Sequence, residues 1–125
     1  FGHSAGDRML YRVAAALSQQ CRESDLPVRY GGEEFALLVP NESVEGGANL
    51  AERCRRAVED IRLNTLQDAI GITASFGVAG STGLSKESEL IEAADRALYR
   101  AKEAGRNLVA IAAGAGKAVL HHQRA

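Results

Sequence analysis

Two short apolar runs meet at Gly31-Gly32, and this meeting restricts the fold more than any other stretch of the chain. Before it, Leu26–Tyr30 sets Val28 and Tyr30 on either side of Arg29. After it, Phe35–Val39 is apolar on both faces, as in a central strand. Glycine has no Cβ and supplies the positive φ angles of tight turns, so the two runs read as a β-hairpin. Pro40 and Asn41 close its second strand.

Helical spacing surrounds the hairpin. From Ser4 to about Glu23, residues Met9, Leu10, Val13, Ala14, Leu17 and Cys21 fall on one stripe. A second helix is predicted from about Val44 to Arg62, with Ala48, Ala51, Cys54, Val58 and Ile61 on one face. Asn64 to Gly71 is polar and reads as loop. Ile72, Ala74, Phe76 and Val78 then alternate with Thr73, Ser75 and Gly77, the period of a strand. A third helix spans about Lys86 to Ala104, capped by Ser85, with Leu90, Ile91, Ala94, Leu98 and Ala101 inward. Gly105 stands where a helix end favours a left-handed residue. Leu108–Ala112 is a final short strand, and Gly114–Ala125 lacks periodicity.

The expected division is thus one domain over 1–112 and a flexible tail over 113–125. The order α-β-β-α-β-α-β matches the β-α-β-β-α-β ferredoxin-like motif without its first strand, plus one more helix and strand. A domain that begins on a helix leaves its sheet one neighbour short, so the chain reads as a fragment.

Composition narrows the function. The 125 residues carry 15 basic and 16 acidic side chains, a formal net charge of −1. No global electrostatic case exists for DNA, RNA or an anionic membrane. With 46% hydrophobic and 25% charged residues, the chain is neither disordered nor fibrous. No segment reaches the roughly 20 apolar residues of a membrane span, and no signal peptide opens the chain. Cys21 and Cys54 are too few for a disulfide scaffold. A cytoplasmic domain is the expectation.

Four clusters can carry chemistry. In Arg29-Tyr30-Gly31-Gly32-Glu33-Glu34-Phe35, a turn without Cβ atoms lets a phosphate approach the backbone amides, and two adjacent carboxylates suit Mg²⁺. Read alone, the same residues also describe a solvated surface hairpin. Lys102 and Arg106 straddle a helix end within reach of nucleotide phosphates, or simply complement the helix dipole. Arg22 and Asp25 can pair locally at a helix end or grip a guanine edge and a phosphate. Asp7 can accept hydrogen bonds from a guanine edge, or act as a first-turn acid. His3, His121 and His122 take no role.

Together these segments resemble the GGDEF domains, diguanylate cyclases that make cyclic di-GMP from two GTP. The matching stretches are Phe1–Asp7, Arg22-x-x-Asp25, Arg29–Phe35, Thr73–Ala79, Ala94–Lys102 and Gly105-Arg106-Asn107, covering the chain through about Val109. The resemblance implies an α/β (α+β) fold of ferredoxin-like, palm-type cyclase class, with a mainly antiparallel central sheet flanked by helices. It implies that Gly31 and Gly32 let GTP pack on backbone, and that Glu33 and Glu34 hold Mg²⁺ or Mn²⁺. Glu34 is also implicated in activating the attacking 3′-hydroxyl.

By the same resemblance, Asp7 recognises guanine, Lys102 and Arg106 bind phosphates, and Arg22 and Asp25 form an inhibitory cyclic di-GMP site with Arg53. Catalysis needs a homodimer, since each subunit holds one GTP. An upstream sensor or receiver domain is expected in the parent protein. Such domains also carry an upstream central strand, with a metal-binding Asp and a guanine-contacting Asn, that precedes Phe1 here. The chain by itself is therefore expected to be inactive. The alternative is a non-catalytic GGDEF module that serves as a cyclic di-GMP receptor.

Overall fold

The computed structural model describes residues 5–23, 25–31, 34–39, 43–64, 69–80, 86–112 and 118–124. The elements are α1 (Ala5–Gln20), β1 (Leu26–Gly31), β2 (Glu34–Val39), α2 (Val44–Glu59), β3 (Leu63–Asn64), β4 (Ala69–Ile70), β5 (Ala74–Gly80), α3 (Glu87–Glu103), β6 (Val109–Ile111) and β7 (Ala118–Arg124). Five strands form one sheet in the order β1-β2-β7-β5-β6. β7 runs antiparallel to both neighbours, β1 and β2 pair antiparallel, and β5 and β6 are parallel. A parallel pair needs a crossover, which α3 supplies. In the hairpin, Arg29 pairs with Phe35 and Gly31 with Glu34, so Tyr30 is an extra residue and the ladder bulges beside the turn.

The helices form where apolar residues recur every three or four positions. Met9, Val13 and Leu17 of α1 meet Val44, Leu50, Ala51, Cys54 and Val58 of α2 over Ala74, Phe76 and Val78 of β5 in one buried cluster. Ser43 caps α2, its Oγ accepting from the Gly46 amide at 3.0 Å. Ala79 of β5 packs instead with Leu90 and Ala94 of α3. Alternate β5 residues therefore face different helices, and all seven are buried. A Cβ on Gly77 would collide with the Ala94 carbonyl oxygen and the Leu98 amide nitrogen of α3. The small residues Ser75, Gly77 and Ala79 are what let α3 come this close.

Three expectations need correction. The 113–125 segment is not a tail without regular structure: Ala118–Arg124 forms β7 between β2 and β5, because those two strands leave facing rows of amides and carbonyls that a central strand satisfies. The Asn64–Gly71 loop contains a stub ladder, Leu63 with Ile70 and Asn64 with Ala69. The N-cap of α3 is Lys86, whose amide donates to Glu89 Oε1 at 3.0 Å. Ser85 lies outside the described residues.

Two substitutions test this architecture. Gly77→Ala should lower unfolding free energy by roughly 1–3 kcal/mol or more through overpacking, read as the urea midpoint. Leu120→Pro should cost about 1–3 kcal/mol by removing a ladder donor in the middle of the sheet. An unchanged midpoint for Leu120→Pro would remove β7 from the sheet.

Candidate functional site

Register assigns the sequence motifs to the two ends of the sheet. Glu34, the first residue of β2, pairs with Gln123 of β7, and Gln123 pairs on its other side with Ser75 of β5. Neighbouring strands lie about 4.8 Å apart, so the backbones at Glu34 and Ser75 are separated by roughly 10 Å. Phe76 pairs with Val109, so the segment entering β6 arrives at the same end. There the Asn107 amide donates to Ser75 Oγ at 3.0 Å. The hairpin turn after Gly31 and the turn after α3 thus share one end of the sheet. An open cleft of about 620 Å³ lined by Glu59, Arg62, Gly71, Ile72 and Thr73 lies beside the start of β5. Leu26 pairs with Leu38, at the far end of the sheet, which carries Arg22 and Asp25 away from the hairpin turn.

The end of α3 is closed by paired backbone bonds. The Arg106 amide donates to the Ala101 carbonyl at 3.0 Å and the Gly105 amide to the Lys102 carbonyl at 3.4 Å, the Schellman arrangement expected for glycine after a helix. Gly105 has φ +123°, and the left-handed path continues through Arg106 at φ 64° and Asn107 at φ 51°. For residues with a Cβ this conformation costs about 1–2 kcal/mol each, with asparagine among the more tolerant.

A polar network opposes that cost. Arg55 Nε and NH2 donate to the two oxygens of Glu52 at 2.8 and 2.7 Å, while NH1 donates to Asn107 Oδ1 at 2.9 Å and Glu59 Oε1 at 3.4 Å. Asn107 Nδ2 donates to Glu59 Oε2 at 2.7 Å. The Arg55 side chain is only 15% exposed. Hydrogen bonds from Arg55, joined by Arg56, hold the Glu52 carboxyl down at about 2. The bond from Asn107 is the main reason that Glu59 also lies below the usual carboxylate range.

At the opposite end, Asp25 is buried. Its Oδ2 accepts from the Arg22 amide at 2.7 Å and lies 3.9 Å from Arg22 Nε, while its buried Oδ1 has no hydrogen-bond partner among the described residues. Next to it, burial pushes the Cys54 thiol up to about 12; Cys21 and Asp25 add to the rise and Arg53 opposes it. Arg53 is exposed on α2.

The structure therefore brings Arg22, Asp25 and Arg53 to the α1–α2 side and Gly31, Glu34 and Arg106 to the other end. Arg106 is exposed and Lys102 half-buried in the last turn of α3. Asp7 stands in the first turn of α1. Gly32 and Glu33 lie outside the described residues. Among the described residues no cluster of three or more metal-ligating side chains occurs. Sequence reading missed Glu52, Arg55, Glu59 and Ser75 and gave Asn107 no role. The three- and four-residue spacing of Glu52, Arg55, Arg56 and Glu59 is a readable signal of helix-surface pairing.

The lowered carboxyls predict a pH dependence. Glu52 has an ordinary value of 4.5, so its contribution is fully present above pH 4.5 and is lost as pH falls toward 2. Glu59 acts in the same direction. Glu52→Gln should flatten the acid loss of thermal stability in that window; parallel loss in both proteins would detach Glu52 from the effect.

Residues 1–108 match the family model described as diguanylate cyclase, GGDEF domain. The chain is 40% identical over 112 residues to diguanylate cyclase DgcP of Pseudomonas aeruginosa, covering 90% of this chain but only 17% of that protein. It superposes on diguanylate cyclase SiaD, solved with its activator SiaC from Pseudomonas aeruginosa, with TM-score 0.83 and 37% identity over 90% of this chain and 43% of that one. The GGDEF domain of DgcB from Caulobacter crescentus, solved in complex with c-di-GMP, gives TM-score 0.82 and 32% identity over 89% and 67%. With the family model matching residues 1–108 and solved GGDEF structures sharing the fold, the chain belongs to the GGDEF family of diguanylate cyclases.

Proposed function

We propose that the domain condenses two GTP into cyclic di-GMP, with each copy holding one GTP where the Gly31-Gly32 turn and the Gly105–Asn107 turn share an end of the sheet. The observation behind this reading is the register row Glu34–Gln123–Ser75, extended by the bond from Asn107 to Ser75. It brings the start of β2 at Glu34 and the turn carrying Arg106 to one edge of the sheet, an arrangement that suits a metal–triphosphate complex. Asp7 accepts the guanine N1–H and N2–H₂, while Lys102 and Arg106 take phosphate oxygens. The 3′-hydroxyl of one GTP attacks the α-phosphate of the other; a P–O bond forms and the bond to pyrophosphate breaks. Both active sites must therefore face each other in a homodimer.

Glu33 and Glu34 offer only carboxylate oxygens, a donor set that fits Mg²⁺ or Mn²⁺. When bound, the ion neutralises charge on the phosphates. In this reading Glu34 also takes the proton of the attacking hydroxyl. The resemblance adds a further metal-binding Asp on an upstream strand, so turnover is measured on an extended protein that includes it. In the extended protein Glu34→Gln should reduce product formation about a hundredfold or more, measured by chromatography; undiminished turnover would overturn the assignment.

A second reading concerns regulation, or a receptor role without catalysis. The buried Asp25 Oδ1 without a partner beside Arg22 favours a cyclic di-GMP site there, since a donor from the ligand would satisfy it. In this reading product binding at Arg22, Asp25 and Arg53 restrains the dimer. Calorimetry with cyclic di-GMP should show affinity falling at least tenfold in Arg22→Ala, and unchanged affinity would eliminate the site.

A further inference from the structure

We propose that Arg55, Glu59 and Asn107 are positioning residues that fix the direction of Arg106 toward the nucleotide triphosphate; this rests on the reading above in which Arg106 contacts phosphate. The backbone of Arg106 is pinned on both sides. Its own amide is tied to the Ala101 carbonyl, and the next residue, Asn107, is held by three bonds to two other elements. Those bonds end on Ser75 in the buried strand β5 and on Arg55 and Glu59 of α2. An exposed arginine with φ 64° is thereby carried on an anchored turn rather than on a loose loop.

Arg55 itself is not the phosphate ligand. Its guanidinium is spent on Glu52, Glu59 and Asn107 and is largely covered. Its work is geometric: a planar fork bridges two carboxylates and an amide at once, which a lysine cannot do. Preorganisation of this kind raises affinity by reducing the ordering that binding requires. The clamp should thus matter for the triphosphate and be silent for the base and sugar.

The test uses the 125-residue chain with Mg²⁺, titrated by calorimetry with a non-hydrolysable α,β-methylene GTP analogue and, separately, with guanosine. Melting curves ensure that every variant is compared while folded. Arg106→Ala should weaken the analogue about tenfold or more and leave guanosine unchanged. Asn107→Ala and Arg55→Lys should weaken the analogue by about three- to tenfold, with guanosine again unchanged. Either change added to Arg106→Ala should cause no further loss. Glu59→Gln keeps an oxygen acceptor for Asn107 and should stay near wild type, whereas Glu59→Ala should follow Asn107→Ala. If Arg106→Ala weakens the analogue but Asn107→Ala and Arg55→Lys do not, the clamp does not position Arg106. Equal loss of analogue and guanosine in Asn107→Ala would likewise overturn the proposal, reducing the clamp to general stability. If Arg106→Ala has no effect on the analogue, the phosphate reading of Arg106 fails first.

Discussion

The close approach of α3 to β5 is the contact on which the remaining arrangement depends. α3 lies against β5 with backbone atoms of Ala94 and Leu98 where a side chain on Gly77 would stand. That approach is possible only because β5 offers small residues on one face, while Phe76 and Val78 fill the core under α1 and α2 on the other. Packed interiors do not absorb an added methyl without displacement. With α3 set at this depth, its C-terminus delivers the chain into β6 alongside the start of β5. The Gly105–Asn107 turn is thus placed by packing, and the Asn107–Ser75 bond fixes it there.

Charge is divided by the same framework. A formal net charge of −1 conceals an interior balance in which Arg55 is consumed by Glu52 and Glu59, and an outer one in which Arg106 stays exposed beside the anchored turn. Surface ion pairs contribute little to stability singly. Their value at α2 is directional, because the fork of Arg55 reaches from a helix to a turn that follows a different helix. At the far end of the sheet Asp25 is withdrawn from solvent with one oxygen unpartnered. The two ends therefore differ in kind: one presents charge on a braced turn, and the other holds an unsatisfied acceptor.

Much of the local structure was legible. The stripe Met9–Val13–Leu17, the hairpin around Gly31, the core face of α2 and the closure of α3 at Gly105 all rest on short-range rules of period and of backbone freedom. The motifs Arg29–Phe35 and Gly105–Asn107 could be read as belonging together by resemblance. What could not be read was β7. Ala118–Arg124 has no clear periodicity, and its place in the middle of the sheet comes from the unpaired edges of β2 and β5 rather than from its own composition. The network at Asn107 was also invisible, since its partners lie 32 to 52 residues away.

The sequence by itself determined which segments become helices and strands, where the hairpin turns, and which acids and cations are available for nucleotide chemistry. These follow from neighbours three, four or two residues apart and from glycines that alone accept certain angles. Only the tertiary structure decided which strand completes the sheet, that Ser75 and Gly77 serve close packing rather than solvent, and that Arg55 and Glu59 brace the turn at Asn107. Those choices depend on strand register and on contacts across dozens of residues, and no local pattern encodes them.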